Sequence, residues 1–274
     1  MGTGGSDLES VGAWYYQRNS KMIHQALHDF HDHRYVLTTE KNTDRHESLE
    51  KELNGWDLEL FFGVDKSTVT LEQLERDGLY SEEKARKTDR SGKPMTTGHV
   101  CCSLGHRLIY EKFLETDADR VMIFEDDVQS IAVPEEMLSS ALESIPDDAE
   151  MIYWGWQGGE TRPPHAAIKQ GIYHIQHSLG LLRYNHTMIR NLYRRPYNEQ
   201  FSLAGKHFCA HAYTLNRSGA QKLIDWQTPI ILNADNAIMY AILNGDLRAY
   251  ISHTQFFTQA SLDESSSIAS LTQS

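Results

Sequence analysis

Val121-Met122-Ile123-Phe124-Glu125-Asp126-Asp127-Val128 carries four apolar residues straight into three carboxylates, after which an apolar residue resumes. The apolar half reads as a strand buried on both faces, the habit of a parallel sheet. The acids then fall at the C-terminal end of that strand, where open α/β sheets bind their ligands. Three adjacent carboxylates repel one another and are costly near a core. A divalent cation relieves that cost, and hard oxygen ligands suit Mn²⁺ or Mg²⁺, which can in turn hold a diphosphate. The plain alternative is a solvated acidic turn between strand and loop. Side chains alternate along an extended strand, so Glu125 and Asp127 share one side and Asp126 points away.

Working outward, apolar spacing predicts a helix over 11–31, a strand over 34–39, a helix over 43–53 with Thr43 as N-cap, and a strand over 58–62. Residues 66–94 are charged and polar and read as a loop with a short helix, a candidate mobile element. A helix over 98–116 leads into the 121–124 strand. Pro134 then opens a helix to 142, followed by a strand over 151–154. Residues 172–184 read as β-rich, with a short helix over 188–193. A strand over 209–215, helices over 218–225 and 234–244, and a last strand over 247–251 complete the pattern. Strands alternating with helices predict a single α/β sandwich over 11–260, its first half parallel and its second half mixed. Residues 1–10 read as disordered and the Ser-rich stretch 261–274 as flexible.

The chain has 274 residues, 40% of them hydrophobic, enough for one substantial core. A net charge of −12 argues against nucleic acid as the main partner. Cys101, Cys102 and Cys209 are odd in number and two are adjacent, so no disulfide framework is expected and a reducing compartment fits. They also lack a zinc-binding spacing. No signal peptide and no run of about 18 apolar residues is visible, so the expectation is a cytoplasmic chain without a transmembrane segment.

Several segments, in order, resemble glycosyltransferase family 25, which includes lipo-oligosaccharide and collagen β-galactosyltransferases. The opening strand is followed by Thr43-Asp44-Arg45, and the second ends in Phe62-Gly63-Val64-Asp65. Gly98, Cys102, Leu104 and His106 match the family's central helical signature. Cys101 replaces a Gly in it and Gly105 replaces a Ser. Then come Glu125-Asp126-Asp127, the segment Ala212-Tyr213 through Lys222-Leu223, Asp235, Gln259 and Ser267-Ile268. The resemblance implies a GT-A type fold, a mixed but mostly parallel sheet flanked by helices. It also implies a divalent metal and an inverting transfer of a sugar, usually galactose, from a UDP-sugar to a glycan or glycoconjugate acceptor.

On that reading Glu125 and Asp127 are metal ligands, joined by His253 after the last strand. Arg45, Asp65, His106 and Asp126 line the nucleotide, Asp126 toward the ribose. Inverting transfer needs a carboxylate to deprotonate the acceptor hydroxyl. Asp235 is the first choice for that base and Glu160 the second. Trp154 and Trp156 are candidates for a sugar-stacking wall, Trp154 the more suited to core packing. Each has an ordinary alternative: N-capping for Asp235, a helix-face salt bridge for Arg45, a satisfied core residue for His106, a surface residue for His253. The competing functions are a nucleotide-sugar or glycan-binding protein without turnover, and a metal-dependent phosphohydrolase.

Overall fold

The structure is a computed structural model describing residues 26–89, 91–158 and 162–260. Residues 1–25 and 261–274 and the candidate base Glu160 lie outside them, as does all but the end of the helix expected over 11–31.

Eight strands form one sheet in the order β2-β1-β3-β8-β5-β9-β7-β6. They are β1 (His33–Thr38), β2 (Glu59–Phe62), β3 (Arg120–Glu125), β5 (Met151–Gln157), β6 (Arg195–Pro196), β7 (Phe201–Leu203), β8 (Phe208–Asn216) and β9 (Ala249–Ser252). β1 pairs parallel with β2 and β3, and β5 parallel with β9. β8 is antiparallel to both β3 and β5, and β7 to both β9 and β6. Only β8 and β7 therefore run against the other six strands. Two short strands, β4 (Val128–Ser130) and β10 (Phe257–Gln259), pair antiparallel in a separate ribbon. The expected sandwich, parallel first and mixed later, is the one observed.

The alternation in Val121–Phe124 is what locks β3 in place. Val121 and Ile123 enter one core with Ile109, Tyr110 and Phe113 of the long helix α4 (Thr97–Leu114). Met122 and Phe124 enter the other, with Trp56, Leu138, Trp154 and Phe257. All four are fully buried. On the second face Thr214 Oγ1 lies 2.6 Å from His31 Nε2 and accepts from Trp154 Nε1 at 2.7 Å, tying the start of the described chain to the sheet. Burial of His31 lowers its pKa to about 3, so the ring is neutral.

Around β1 and β2 lie α1 (Thr43–Glu52) and then α2 (Leu71–Arg76) and α3 (Glu82–Thr88). The polar stretch 66–94 is more ordered than a mobile loop. Leu74, Tyr80 and Ala85 form a small core with Val100, Leu104 and Ile230. Main-chain bonds from Ser81 N to Ile230 O and from Ile230 N to Leu79 O fix it further. After β4 comes α5 (Glu135–Glu143), and after β5 comes α6 (Ala166–Ser178), where a β-rich stretch was expected. Ile and Tyr raise strand propensity, but Ile168, Ile172, Ile175 and Leu179 recur at helical spacing, and the helical period prevails. α7 (His186–Arg190), α8 (Arg217–Trp226) and α9 (Ala234–Asn244) complete the layers.

Candidate active site

β1, β2, β3, β5 and β9 point the same way, so their C-terminal ends share one rim, and β3 delivers the three carboxylates there. Asp126 turns toward β1 and α1. Thr38 Oγ1 and Asn42 Nδ2 each donate to its Oδ2 at 2.7 Å, and Arg45 pairs with its Oδ1. Asn42 stands at the N-cap of α1 yet makes no capping bond with its side chain, which serves Asp126 instead. Thr43, the expected cap, is already inside the helix. Arg45 and Asp126 are thus closed on each other. They brace the start of α1 against the end of β3.

Glu125 goes the other way. Its Oε1 lies 3.4 Å from Nε2 of His106, a ring buried on α4. His106 Nδ1 lies 2.9 Å from the Tyr213 hydroxyl, which lies 2.8 Å from that of Tyr110. Burial lowers the His106 pKa to about 4, so the imidazole is neutral. Burial, then the charges of Asp127 and Asp126, push the Glu125 carboxyl well above the ordinary range.

Asp235 arrives from across the site in the first turn of α9. Asn233 caps that helix, its side chain accepting from Asn236 N at 3.3 Å, so Asp235 does not serve the capping role the sequence offered. The main-chain N–H groups of Cys209 and Ala210 face its carboxylate. Burial and then Glu125 raise its pKa to about 6. Cys209 has φ 63°, the one non-glycine residue with positive φ among the described residues. That conformation costs on the order of 1–3 kcal/mol and gathers at functional sites. Here it sits in the stretch of β8 where the register with β5 shifts, and two N–H groups face Asp235. Burial and the surrounding carboxylates hold the Cys102 thiol well above its usual range and push Cys209 up to about 12, so both stay protonated.

Asp127 is 7% exposed, and its Oδ1 is buried without a hydrogen-bond partner. An unsatisfied carboxylate oxygen beside a carboxylate of raised pKa suits a hard cation. Among the described residues no three His, Cys, Asp or Glu side chains are gathered to hold a metal by themselves. Mg²⁺-like ions commonly take only one or two carboxylates and complete their shell with water and substrate phosphates. Glu125 and Asp127 fit that second pattern.

The sequence profile described as "Glycosyltransferase family 25 (LPS biosynthesis protein)" matches residues 31–238, from the strand before the site through Asp235. The chain belongs to glycosyltransferase family 25. It is 26% identical over 131 residues to "Glycosyltransferase 25 family member" of Aedes aegypti, covering 45% of this chain and 20% of that protein. It is 23% identical over 201 residues to "Probable inactive glycosyltransferase 25 family member 3" of Bos taurus, covering 70% of this chain and 28% of that one. The matches span less than a third of either relative's length. A solved structure, mouse xyloside xylosyltransferase 1 in its apo form, superposes with a TM-score of 0.34 at 12% identity over 78% of this chain and 69% of that one.

Other expected site residues of this family 25 chain fall elsewhere. His253 does not join the carboxylates. β9 lies three strand spacings from β3, on the order of 14 Å. Its Nε2 is 2.8 Å from Ser202 Oγ and its Nδ1 2.9 Å from the Glu199 carbonyl, so both ring nitrogens are engaged. Asp65 closes a turn, accepting from Ser67 N and Oγ at 2.8 Å and pairing with Lys41 at 2.5 Å. The Lys41 contact, then Ser67, lowers its pKa to about 2. Trp154 is core, whereas Trp156 is half-buried against His207. A Cβ at Gly105 would meet Leu37 Cδ1 at 2.7 Å, so glycine there lets α4 sit close on β1. A cleft lined by Arg120, Glu150, Asn216 and Arg217 opens at the opposite rim and contains none of these groups.

The sequence reading missed the Cys209–Ala210 amide pair, the Tyr110–Tyr213 support of His106, and His211. His211 is buried with Nε2 3.3 Å from the Phe257 carbonyl and feels the charge of Asp127. Gly155 makes room for it, since a Cβ there would lie 2.3 Å from that nitrogen. Only Tyr213 carried a signal, inside the Ala212-Tyr213 motif.

Proposed function

We propose that this chain is a metal-dependent, inverting glycosyltransferase that moves a hexose, galactose by family resemblance, from a UDP-sugar to a hydroxyl of a glycan or glycoconjugate. The observation that carries the reading is the meeting of Asp235 with Glu125 and Asp127 at one rim, although more than 100 residues separate them in sequence. Glu125 and Asp127 would hold Mn²⁺ or Mg²⁺ together with the donor's diphosphate. The bound cation supplies a Lewis acid for the departing nucleotide. Asp235, held by the Cys209 and Ala210 amides, accepts the proton of the attacking acceptor hydroxyl. His106 stays neutral beside Glu125 and adds no charge to the site. The Arg45–Asp126 pair keeps the rim in register.

The test is incubation with UDP-galactose, UDP-glucose and UDP-N-acetylglucosamine, each with Mn²⁺ and with EDTA, following UDP release and sugar transfer to a glycan acceptor. Mn²⁺-dependent transfer from one donor is expected, and EDTA abolishes it. Failure of every UDP-sugar to bind in the presence of Mn²⁺ overturns the reading. Binding without transfer, unchanged in Asp235→Asn, would instead favour a non-catalytic binding protein, the state that the name of the Bos taurus relative gives for that protein.

A further inference from the structure

Helix α6 is built inside out. Its protein-facing side is polar and aromatic: Gln170 Nε2 donates to the Ile189 carbonyl at 2.6 Å, and Tyr173 packs with Ala166, Leu192 and Tyr193. His186 of α7 meets His177 edge to face and lies with its Nδ1 2.8 Å from His174 Nδ1. Its solvent side carries Ile168, Ile172, Ile175 and Leu179, which stand 66%, 49%, 62% and 67% exposed, with Leu181 just beyond at 75%. Spacings of four, three and four put the helical members on one stripe. A buried helix would turn that stripe inward, and soluble monomers rarely expose a contiguous apolar patch of more than a few hundred Å².

The charge around the stripe is equally unusual. From Thr161 to Asn198 there is no Asp or Glu, while Arg162, Lys169, Arg183, Arg190, Arg194 and Arg195 all fall within it. With 26 Lys and Arg against 38 Asp and Glu in the whole chain, the rest holds 20 against 38. A basic island carrying an apolar stripe thus sits in an acidic protein. A second copy would bring like charge against like charge, and the stripe covers fewer than the three heptads that a coiled-coil pair needs. An apolar stripe flanked by Lys and Arg is the pattern of a helix lying in the plane of a membrane surface.

We propose that α6 docks this chain onto an anionic lipid bilayer, the isoleucine stripe entering the headgroup boundary and the exposed Lys169 and Arg190 meeting lipid phosphates, while Arg183 is held by the carbonyls of Lys87, Thr88 and Asp89. α6 follows β5, whose C-terminal end lies on the rim that carries Glu125 and Asp127. Docking there would present the carboxylate site to acceptors held at the membrane. The bilayer contact itself does not depend on the transferase reading. No helix among the described residues is long and apolar enough to cross a membrane, so the contact is peripheral.

Co-sedimentation of the full chain with vesicles tests this, using phosphatidylcholine alone and phosphatidylcholine mixed with phosphatidylglycerol. The wild type is expected to pellet with the mixed vesicles and not with the neutral ones. The triple variant I168S/I172S/I175S should partition at least about tenfold less. K169E/R190E should lose the preference for anionic lipid. The replaced isoleucines are exposed, so the melting temperature should be unchanged; as a check that needs no variant, hydrogen exchange over 166–181 should slow when mixed vesicles are added to the wild type. Wild type remaining in the supernatant, a triple variant that pellets like wild type, unaltered exchange, or a lipid-free dimer that the triple variant abolishes would each overturn the proposal.

Discussion

Two halves of one rim, built from adjacent residues, have opposite character. On the α1 side, Asp126 is closed by Thr38, Asn42 and Arg45, and both its oxygens are used. On the α9 side, Glu125 and Asp235 carry raised pKa values, Asp127 Oδ1 has no partner, and Cys209 holds a strained φ. The first half is arranged for stability and the second is arranged at its expense. One unsatisfied carboxylate oxygen beside two carboxyls of raised pKa is the pattern expected where a ligand binds.

That contrast is broken most sharply by exchanging consequences between the halves. Asp235→Asn should lower kcat by roughly 10²–10⁴ while leaving the melting temperature equal or higher, because a repelling buried charge is gone. Steady-state transfer rates and calorimetry check both parts. Asp126→Ala should do the reverse to stability, costing on the order of 3–5 kcal/mol, since it leaves the Arg45 pair broken at a buried site; urea titration measures it. A melting temperature unmoved by Asp126→Ala would erase the distinction between the halves.

A pH titration sharpens the comparison away from the site. His31 and His207 are buried and neutral, with pKa values lowered by burial to about 3 and about 4. The unfolded chain binds protons there below about 6.5, so their contribution is whole above that pH and falls away as pH drops. The expected slope between pH 6 and pH 4 is about 1.4 kcal/mol per pH unit for each histidine. The raised carboxyls of Glu125 and Asp235 slope the other way over that range, so the histidine contribution is read as the difference in slope between wild type and His207→Gln, and identical slopes would contradict the burial of that ring. The smallest effect is expected for Gly105→Ser, which restores the residue of the family signature. Its Cβ would meet Leu37 at 2.7 Å, and the overpacking should cost about 1–3 kcal/mol by chemical denaturation.

Much of the architecture was legible because periodicity is local. Val121–Phe124 announced a strand buried on both faces, and the three acids announced the rim. The α6 error has the same origin: Ile and Tyr raised strand propensity, and an apolar stripe turned outward gives no hint of which face is the core. The site divides along a similar line. Glu125, Asp127 and Asp235 were readable as carboxylates at the ends of elements. The partners of Asp126 were not, because Thr38, Asn42 and Arg45 meet it through a tertiary contact spanning more than 80 residues. Cys209 was invisible for another reason, since a non-glycine residue at positive φ leaves no mark on composition.

The most direct measurement is the melting temperature of wild type, Asp127→Ala and Asp235→Asn with UDP, in Mn²⁺ and in EDTA. A ligand bound only by the native state, at a hundred times its dissociation constant, stabilises by about 2.7 kcal/mol. The melting temperature should rise for wild type and Asp235→Asn with UDP and Mn²⁺ together, and not in EDTA or in Asp127→Ala. The same rise in EDTA, or in Asp127→Ala, would contradict the metal-dependent reading.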